Sequence, residues 1–224
     1  MNGAGSDDDQ LGLDEAYAVE TPDDSRRLYA KWADTYDSDF VEAKGYVYHE
    51  NVVGVFRDAG GGAGGAVLDV GCGTGIVGVA LGDVGEDIVD GIDISPEMLR
   101  VAATKTTVHG RPAYRDLIEA DLTRRTELGE DSYAGIISVG TFTHGHLGPD
   151  SLDELLRIAA PRAVCAIGIN EHHFAELGFD AWFAARTHEG RISSPDLIDV
   201  AIYEAMEGEH AGTRGMVASF QVLR

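Results

Sequence analysis

Positive charge is scarce in this sequence, which limits the ligands that the protein can bind. Lys and Arg together number 17, against 39 Asp and Glu, so the formal net charge is −22. The largest basic clusters are the pairs Arg26–Arg27 and Arg124–Arg125. Binding to a nucleic-acid backbone depends on clustered Lys and Arg. We therefore expect no DNA or RNA partner.

Long apolar runs and cysteines are also few. No apolar run approaches the roughly 20 residues that span a bilayer, and residues 1–10 lack the basic start and apolar segment of a signal peptide. We therefore expect a cytoplasmic protein without membrane contact. Cys72 and Cys165 sit in or beside apolar runs that predict buried strands, and their spacing fits neither a redox motif nor a metal site. No metal is expected.

The chain divides into three predicted regions. Residues 1–20 form an acidic stretch without periodicity, which predicts little ordered structure. Residues 21–60 predict a helical lid with an aromatic stripe at helical spacing. Residues 66–224 predict a Rossmann-like core, and the lid and the core together form one predicted domain, 21–224.

Strands and helices alternate through the predicted core. Ser95 is placed to cap a helix that runs to Val108, and Ser151 with Glu154 has the pattern of a capping box. The last two strands have no helix between them, so they should pair antiparallel. The predicted fold is α/β: a Rossmann-like, seven-stranded, mostly parallel sheet with helices on both faces, its last strand antiparallel, and an N-terminal helical lid. The predicted strands are 66–70, 87–94, a short strand ending near Asp121, 133–140, 162–170, 199–206 and 215–224.

A glycine-rich turn after the first strand predicts a cofactor site. Read from Gly73 it has the dinucleotide fingerprint G-x-G-x-x-G, whereas read from Gly71 it has the pattern G-x-G-x-G. Asp93, at the end of the second strand, could bind the ribose of either cofactor. Asp69 would repel a pyrophosphate and favour the cationic S-adenosylmethionine (SAM). Asp121, which could accept from an adenine amino group, and the final antiparallel pair also favour SAM.

Four motifs in order resemble those of class I SAM-dependent methyltransferases: "VLDVGCGTG", "VDGIDISPEMLRVA", "EADL" and "YAGIISVGTF". The resemblance extends over residues 24–224. The stretches "KWADTYDSDF", "THGHLGPDSLDELLR" and "INEHHF" are similar to the small methyltransferase-like proteins of the Williams–Beuren-region type. This resemblance implies SAM as the cofactor, transfer of its methyl group, and a lid that folds over it.

The predicted cofactor site lies at the strand ends. Gly71 and Gly73 would let the backbone approach the methionine part of SAM, and Asp93 would accept from both ribose hydroxyls. Asp121 and Leu122 would hold the adenine edge. The predicted cofactor-binding residues are Tyr36, Asp69, Gly71, Cys72, Gly73, Asp93, Ile94, Met98, Asp121 and Leu122.

The predicted acceptor site lies beside the fourth and fifth strands. His144 is the predicted general base or the hydrogen-bond partner of the substrate, with His172 and His173 as competitors, and a base is needed only for a protonated nucleophile. No Lys or Arg occurs in either histidine-bearing loop, so we expect a small-molecule acceptor that is uncharged or weakly polar. The protein would act as a monomer or homodimer. The predicted substrate-binding residues are Trp32, Tyr46, Thr143, His146 and His172.

Two other functions stay open at this point. An NAD(P)-dependent oxidoreductase would use the same glycine turn, although Asp69 opposes it and no pair of proton donors is visible. A non-catalytic module could bind SAM without transferring its methyl group.

The acidity predicts a response to salt. Only three of the cations are Lys, and a surplus of Asp and Glu of this size is typical of a salt-adapted surface. We expect the melting temperature to rise substantially between low salt and molar KCl, because salt screens the self-repulsion. Thermal unfolding across that range measures it, and a constant melting temperature would show that the acidity serves solubility alone.

Overall fold

The computed structural model describes residues 19, 21–85, 88–143, 146–204 and 214–223. Eight helices, one of them a π-helix, and seven strands occur in these ranges. In chain order they are α1 (Pro22–Trp32), a π-helix (Asp37–Glu42), α2 (Tyr48–Asp58), β1 (Val67–Val70), α3 (Ile76–Asp83), β2 (Val89–Asp93), α4 (Pro96–Ala102), β3 (Asp116–Glu119), β4 (Tyr133–Phe142), α5 (Ser151–Ile158), β5 (Ala159–Ile169), α6 (Glu171–Leu177), α7 (Phe179–His188), β6 (Asp196–Ala201) and β7 (Arg214–Gln221).

The seven strands form one sheet in the order β3-β2-β1-β4-β5-β7-β6. Strand β7 runs antiparallel to both of its neighbours, and the other strands are parallel to one another. The predicted fold is therefore confirmed, including the antiparallel last strand. The strand order reverses between β1 and β4, and ligands of open α/β sheets bind at the carboxyl ends of strands at such a point.

Helices cover both faces of the sheet, as predicted. Leu68 and Ile136 pack on one face with side chains from α5 and α7. Their neighbours Val67 and Ile137 pack on the other face with side chains from α2 and α3. Successive residues of a strand point to opposite faces, so each central strand contributes to both cores. Among the described helices, none is both long and apolar enough to cross a bilayer.

The predicted helix cap at Ser95 is confirmed, whereas the predicted capping box at Ser151 is not. Thr21 caps α1 in a capping box with Asp24, and the Ser95 hydroxyl accepts from the Met98 N–H at the start of α4. The predicted capping box of Ser151 and Glu154 is wrong, because Asp150 precedes the helix and makes no side-chain cap. The Glu154 carboxylate instead accepts from the Thr126 N–H at 2.8 Å.

Two other local predictions need correction. The helix after Ser95 ends at Ala102 and does not reach Val108, because the chain turns back and pairs Thr106 with Pro112 in an isolated bridge. The segment that carries His172 and His173 is not a loop but the helix α6, capped by Asn170.

A buried carboxyl group lies on one face of β1. The Tyr114 hydroxyl donates to Asp69 Oδ2 at 2.6 Å and accepts from the Gly78 N–H at 3.0 Å. A Cβ at Gly78 would lie 2.2 Å from Tyr114 Cζ, so this glycine is required for the ring to fit. Burial raises the pKa of Asp69 to about 7, the Asp93 carboxylate adds to this, and the Tyr114 hydrogen bond opposes it.

This raised pKa predicts how Asp69 affects stability. Its folded-state pKa lies above the ordinary value of 3.8, so its contribution is complete below pH 3.8 and is lost as the pH rises through about 7. Asp69→Asn removes the titration. The free energy of unfolding of the wild type, relative to Asp69→Asn, should therefore fall between those pH values in urea titrations.

The exposed Asp196, changed to Asn, serves as the matched control. If the difference in free energy of unfolding between the wild type and Asp69→Asn stays constant across the same pH range, the raised pKa of Asp69 is contradicted.

Candidate active site at the carboxyl ends of β1, β2 and β4

A cavity of about 260 Å³ opens at the carboxyl edge of the sheet, beside the switch point between β1 and β4. The glycine turn, the end of β2, the loop after β3, the end of β4 and the N-terminal helical segment all contribute to it. The residues that line it are Pro22, Ser25, Tyr29, Tyr36, Tyr46, Gly71, Gly73, Ile76, Val77, Asp93, Ile94, Met98, Ala120, Asp121, Leu122, Thr123, Val139, Gly140, Thr141, His146 and Leu147.

The two predicted glycines of the turn serve different purposes. Both have positive φ, +68° at Gly71 and +52° at Gly73, which favours glycine at each. A Cβ at Gly71 would lie 2.0 Å from Thr141 Oγ1, so Gly71 makes room for a protein side chain. A Cβ at Gly73 would meet nothing within 4 Å. Because Gly73 also lines the cavity, its missing side chain leaves space for a ligand against the backbone.

Asp93 joins the glycine turn to the end of β2. Its Oδ2 accepts from the Gly73 N–H at 2.9 Å, and its Oδ1 accepts from the Ser95 N–H at 2.8 Å. Burial raises the pKa of Asp93, while the N–H groups of Ser95 and Gly73 lower it by favouring the charged form. Each carboxylate oxygen has a second lone pair, so the group can still accept from a ligand in the cavity.

Asp121 lies at another wall of the cavity, two residues after β3. Its Oδ1 accepts from the Thr123 N–H at 2.9 Å and from the Thr123 hydroxyl at 2.6 Å. Its Oδ2 lies 3.5 Å from Arg124 Nε. The apolar side chains of Leu122 and Met98 are buried at the same cavity. This part of the cavity can therefore hold a flat ring between apolar side chains and an acceptor group.

The N-terminal segment covers the cavity and is attached to the core by polar contacts. Arg26 Nε donates to the Ile94 carbonyl at 3.3 Å. The Asp37 carboxylate accepts from the Thr74 hydroxyl at 2.6 Å and pairs with Lys105. Thr74 belongs to the glycine turn, so the covering segment is fastened directly beside it.

Three tyrosines of this segment line the cavity: Tyr29, Tyr36 and Tyr46. Burial raises the pKa of each of their hydroxyls, so all three stay protonated. The Tyr29 hydroxyl lies 3.0 Å from His146 Nε2, which connects α1 to the loop after β4. The covering segment thus presents neutral aromatic rings and one hydroxyl–imidazole pair to the cavity.

Several predicted site residues do not line the cavity. Asp69 faces Tyr114, and Cys72 packs toward Gly91, where a Cβ would lie 2.8 Å from its Sγ. Trp32 is buried in a small core with Leu28 and Met98. Asp69 therefore does not reach the cavity to attract a cationic cofactor, and the carboxylates among the described lining residues are those of Asp93 and Asp121.

The predicted acceptor residues divide in the same way. His146 and Tyr46 line the cavity, whereas Thr143 does not, and His172 is exposed on α6. The neighbouring His173 is buried, with Nε2 2.9 Å from the Leu147 carbonyl, so it supports the loop after β4 from behind. His144, the predicted general base, lies outside the described residues. The end of β4 borders the cavity, but residues 171–174, which follow β5, do not line it. The prediction that the acceptor site also lies beside the fifth strand is therefore not supported.

Tyr29 and Thr141 are cavity residues that the sequence did not single out for the site. Tyr29 was visible as part of the aromatic stripe, but the stripe did not show which rings face a cavity and which a core. Thr141 lies in the stretch "YAGIISVGTF", but the stretch does not show that this side chain reaches a cavity, since its position depends on the packing of β4 against Gly71.

Comparisons with known proteins bear on this fold. A family model described as a methyltransferase domain matches residues 67–162, which span β1 to the start of β5. No curated protein matches the sequence significantly.

Solved structures share the fold at low sequence identity. A chain from the complex of the Haloferax volcanii Trm112 methyltransferase activator with a proposed methyltransferase is 17% identical, with a TM-score of 0.64 over 88% of this chain and 98% of that one. A proposed SAM-dependent methyltransferase from Methanococcus maripaludis is 13% identical, with a TM-score of 0.57 over 99% and 98%.

The cyclase SpnF is 13% identical, with a TM-score of 0.64 over 92% of this chain and 97% of that one. A fold shared with a cyclase does not define the reaction. The family model covers less than half of the chain, and the solved structures show a shared Rossmann-like fold.

Proposed function

We propose that this protein is a SAM-dependent methyltransferase that acts on a small, uncharged acceptor. The observation that carries the proposal is the Asp93 carboxylate at the cavity, held by the N–H groups of Gly73 and Ser95 beside open space at Gly73. Within the class, the stretch "KWADTYDSDF" supports kinship with the small Williams–Beuren-region type.

The residues at the cavity fit SAM. Asp93 would accept from the ribose hydroxyls, because its free lone pairs are the strong acceptors at the end of β2. Met98 and Leu122 would pack on the adenine, and Asp121 would accept from its amino group. Gly73 would let the methionine part lie against the backbone. When bound, SAM supplies an electrophilic methyl group on a positively charged sulfur.

The hydrogen bonds of the glycine turn disfavour a dinucleotide. A pyrophosphate needs free N–H groups, and four of those at the glycine turn already have partners. Here the N–H groups of Gly71 and Cys72 donate to the Ile92 carbonyl, that of Gly73 donates to Asp93, and that of Gly75 donates to the Cys72 carbonyl. No Lys or Arg lines the cavity within the described part of the chain. These features support SAM over NAD.

The acceptor would bind beneath the N-terminal segment, next to the end of β4. Methyl transfer to a positioned nucleophile depends mainly on alignment and on exclusion of water. Tyr29, Tyr36 and Tyr46 cover this part of the cavity, and the contact of Asp37 with Thr74 fastens the cover. The tyrosines are neutral and no cation is among the described lining residues, so an anionic acceptor would be poorly stabilised there.

The Asp93 assignment predicts a loss of cofactor affinity. Asp93→Ala leaves two ribose hydroxyls without a charged acceptor, which should weaken binding of S-adenosylhomocysteine by about 1–3 kcal/mol. Calorimetric titration measures the change. Urea unfolding of the same variant separates lost binding from lost stability, because Asp93 also holds Gly73 and Ser95.

The matched control is Asp196→Ala, a change at an exposed position on β6. Unchanged affinity in a folded Asp93→Ala protein would remove Asp93 from the cofactor site.

Catalysis distinguishes an enzyme from a module that only binds SAM. Methyl-labelled SAM incubated with uncharged small acceptors should give labelled product with the wild type and far less with Asp93→Ala. Labelled product at equal rates with both proteins would contradict the proposed site.

A further inference from the structure

The hydroxyl–imidazole pair at the cavity can accept a proton. The Tyr29 hydroxyl and His146 Nε2 are 3.0 Å apart, a hydrogen-bond distance, and the two rings lie at 5.6 Å with a tilt of 53°. Both side chains line the cavity, Tyr29 from α1 and His146 from the loop after β4. The Tyr29 oxygen can accept from a ligand while its own proton points to the imidazole.

The surroundings of Tyr29 disfavour a negative charge on its hydroxyl oxygen. Burial raises the pKa of Tyr29, and Tyr36 and Asp93, which act on the same hydroxyl, raise it further. The other titratable side chains that line the cavity are Tyr46 and Asp121. Tyr29 therefore stays neutral, so a proton taken up by its oxygen must be matched by loss of its own proton to the imidazole, the group 3.0 Å away that can hold it.

The shape and polarity of the walls restrict the acceptor. Aromatic rings of Tyr29, Tyr36 and Tyr46 face the cavity from the covering segment, and Val139 and Leu147 add apolar surface. Flat aromatic walls favour a planar ring, because ring pairs gain from stacked and edge-to-face contacts.

We propose that Tyr29 and His146 together are the proton acceptor of this site and that the substrate is a planar aromatic compound with a hydroxyl group. This inference rests on the proposed function and names its substrate class. The substrate O–H bond breaks with its electron pair left on oxygen, and the proton joins the Tyr29 oxygen. The Tyr29 proton moves at the same time to His146 Nε2. A phenolate and an imidazolium result, with no change in total charge.

4-Nitrophenol is a suitable probe, since it is planar and its phenol and phenolate forms absorb at different wavelengths. It is titrated into the protein saturated with S-adenosylhomocysteine, which carries no sulfonium charge, so a shift in ionisation comes from the protein. At a pH where free nitrophenol is mostly neutral, we expect the bound phenolate-to-phenol ratio to be about tenfold higher than in solution, because the imidazolium formed at His146 supplies the positive charge that the neutral walls lack.

Two variants test the pair. Tyr29→Phe and His146→Gln should each bind nitrophenol and lose the phenolate enrichment. Tyr48→Phe is the matched tyrosine control, because its hydroxyl donates to the Met216 carbonyl and it does not line the cavity. His188→Gln, at an exposed position on α7, is the histidine control. Both controls should keep the enrichment.

Calorimetric titration with S-adenosylhomocysteine is done first. Binding by a variant shows that the variant is folded and that its cofactor site is intact. Absence of that binding in the wild type overturns the proposed function, and this inference with it. If the cofactor product binds but nitrophenol does not, the substrate class is wrong. If nitrophenol binds as neutral phenol, or if both variants keep the enrichment, the proton-acceptor role is wrong.

Discussion

The contact of the Asp93 carboxylate with the N–H groups of Gly73 and Ser95 is the interaction on which the site depends. It fixes the glycine turn against the end of β2 and the start of α4. It also occupies the Gly73 N–H, a donor that a phosphate would otherwise use. The Asp93 carboxylate thus holds the turn in place and also selects the ligand that binds beside it, because it favours hydroxyl groups and positive charge over anions.

The covering segment completes the site by attaching to the same turn. Asp37 contacts Thr74 and Lys105, and Arg26 reaches the Ile94 carbonyl next to Asp93. The cavity consequently has acidic and apolar walls at the strand ends and neutral aromatic walls under the cover. This division suits a cationic cofactor on one side and an uncharged aromatic acceptor on the other.

Residue periodicity and the positions of strand ends in the sequence were sufficient to predict part of the fold and part of the site. The parallel sheet, its antiparallel last strand and the place of Asp93 could be predicted, because the carboxyl ends of adjacent parallel strands meet. The direction of Asp69 could not, since β1 is buried on both faces and shows no alternation to read. Its partner Tyr114 lies 45 residues away along the chain. The aromatic stripe likewise left open that Trp32 enters a core while Tyr29 faces the cavity.

The most direct test of the account is thermal unfolding of the protein with S-adenosylhomocysteine and, separately, with NAD. A ligand that binds only the folded state raises the melting temperature, and the stabilisation grows with the logarithm of its concentration relative to Kd. The account predicts that S-adenosylhomocysteine raises the melting temperature in a concentration-dependent manner and that NAD leaves it unchanged. Stabilisation by NAD, with no effect of S-adenosylhomocysteine, would contradict it.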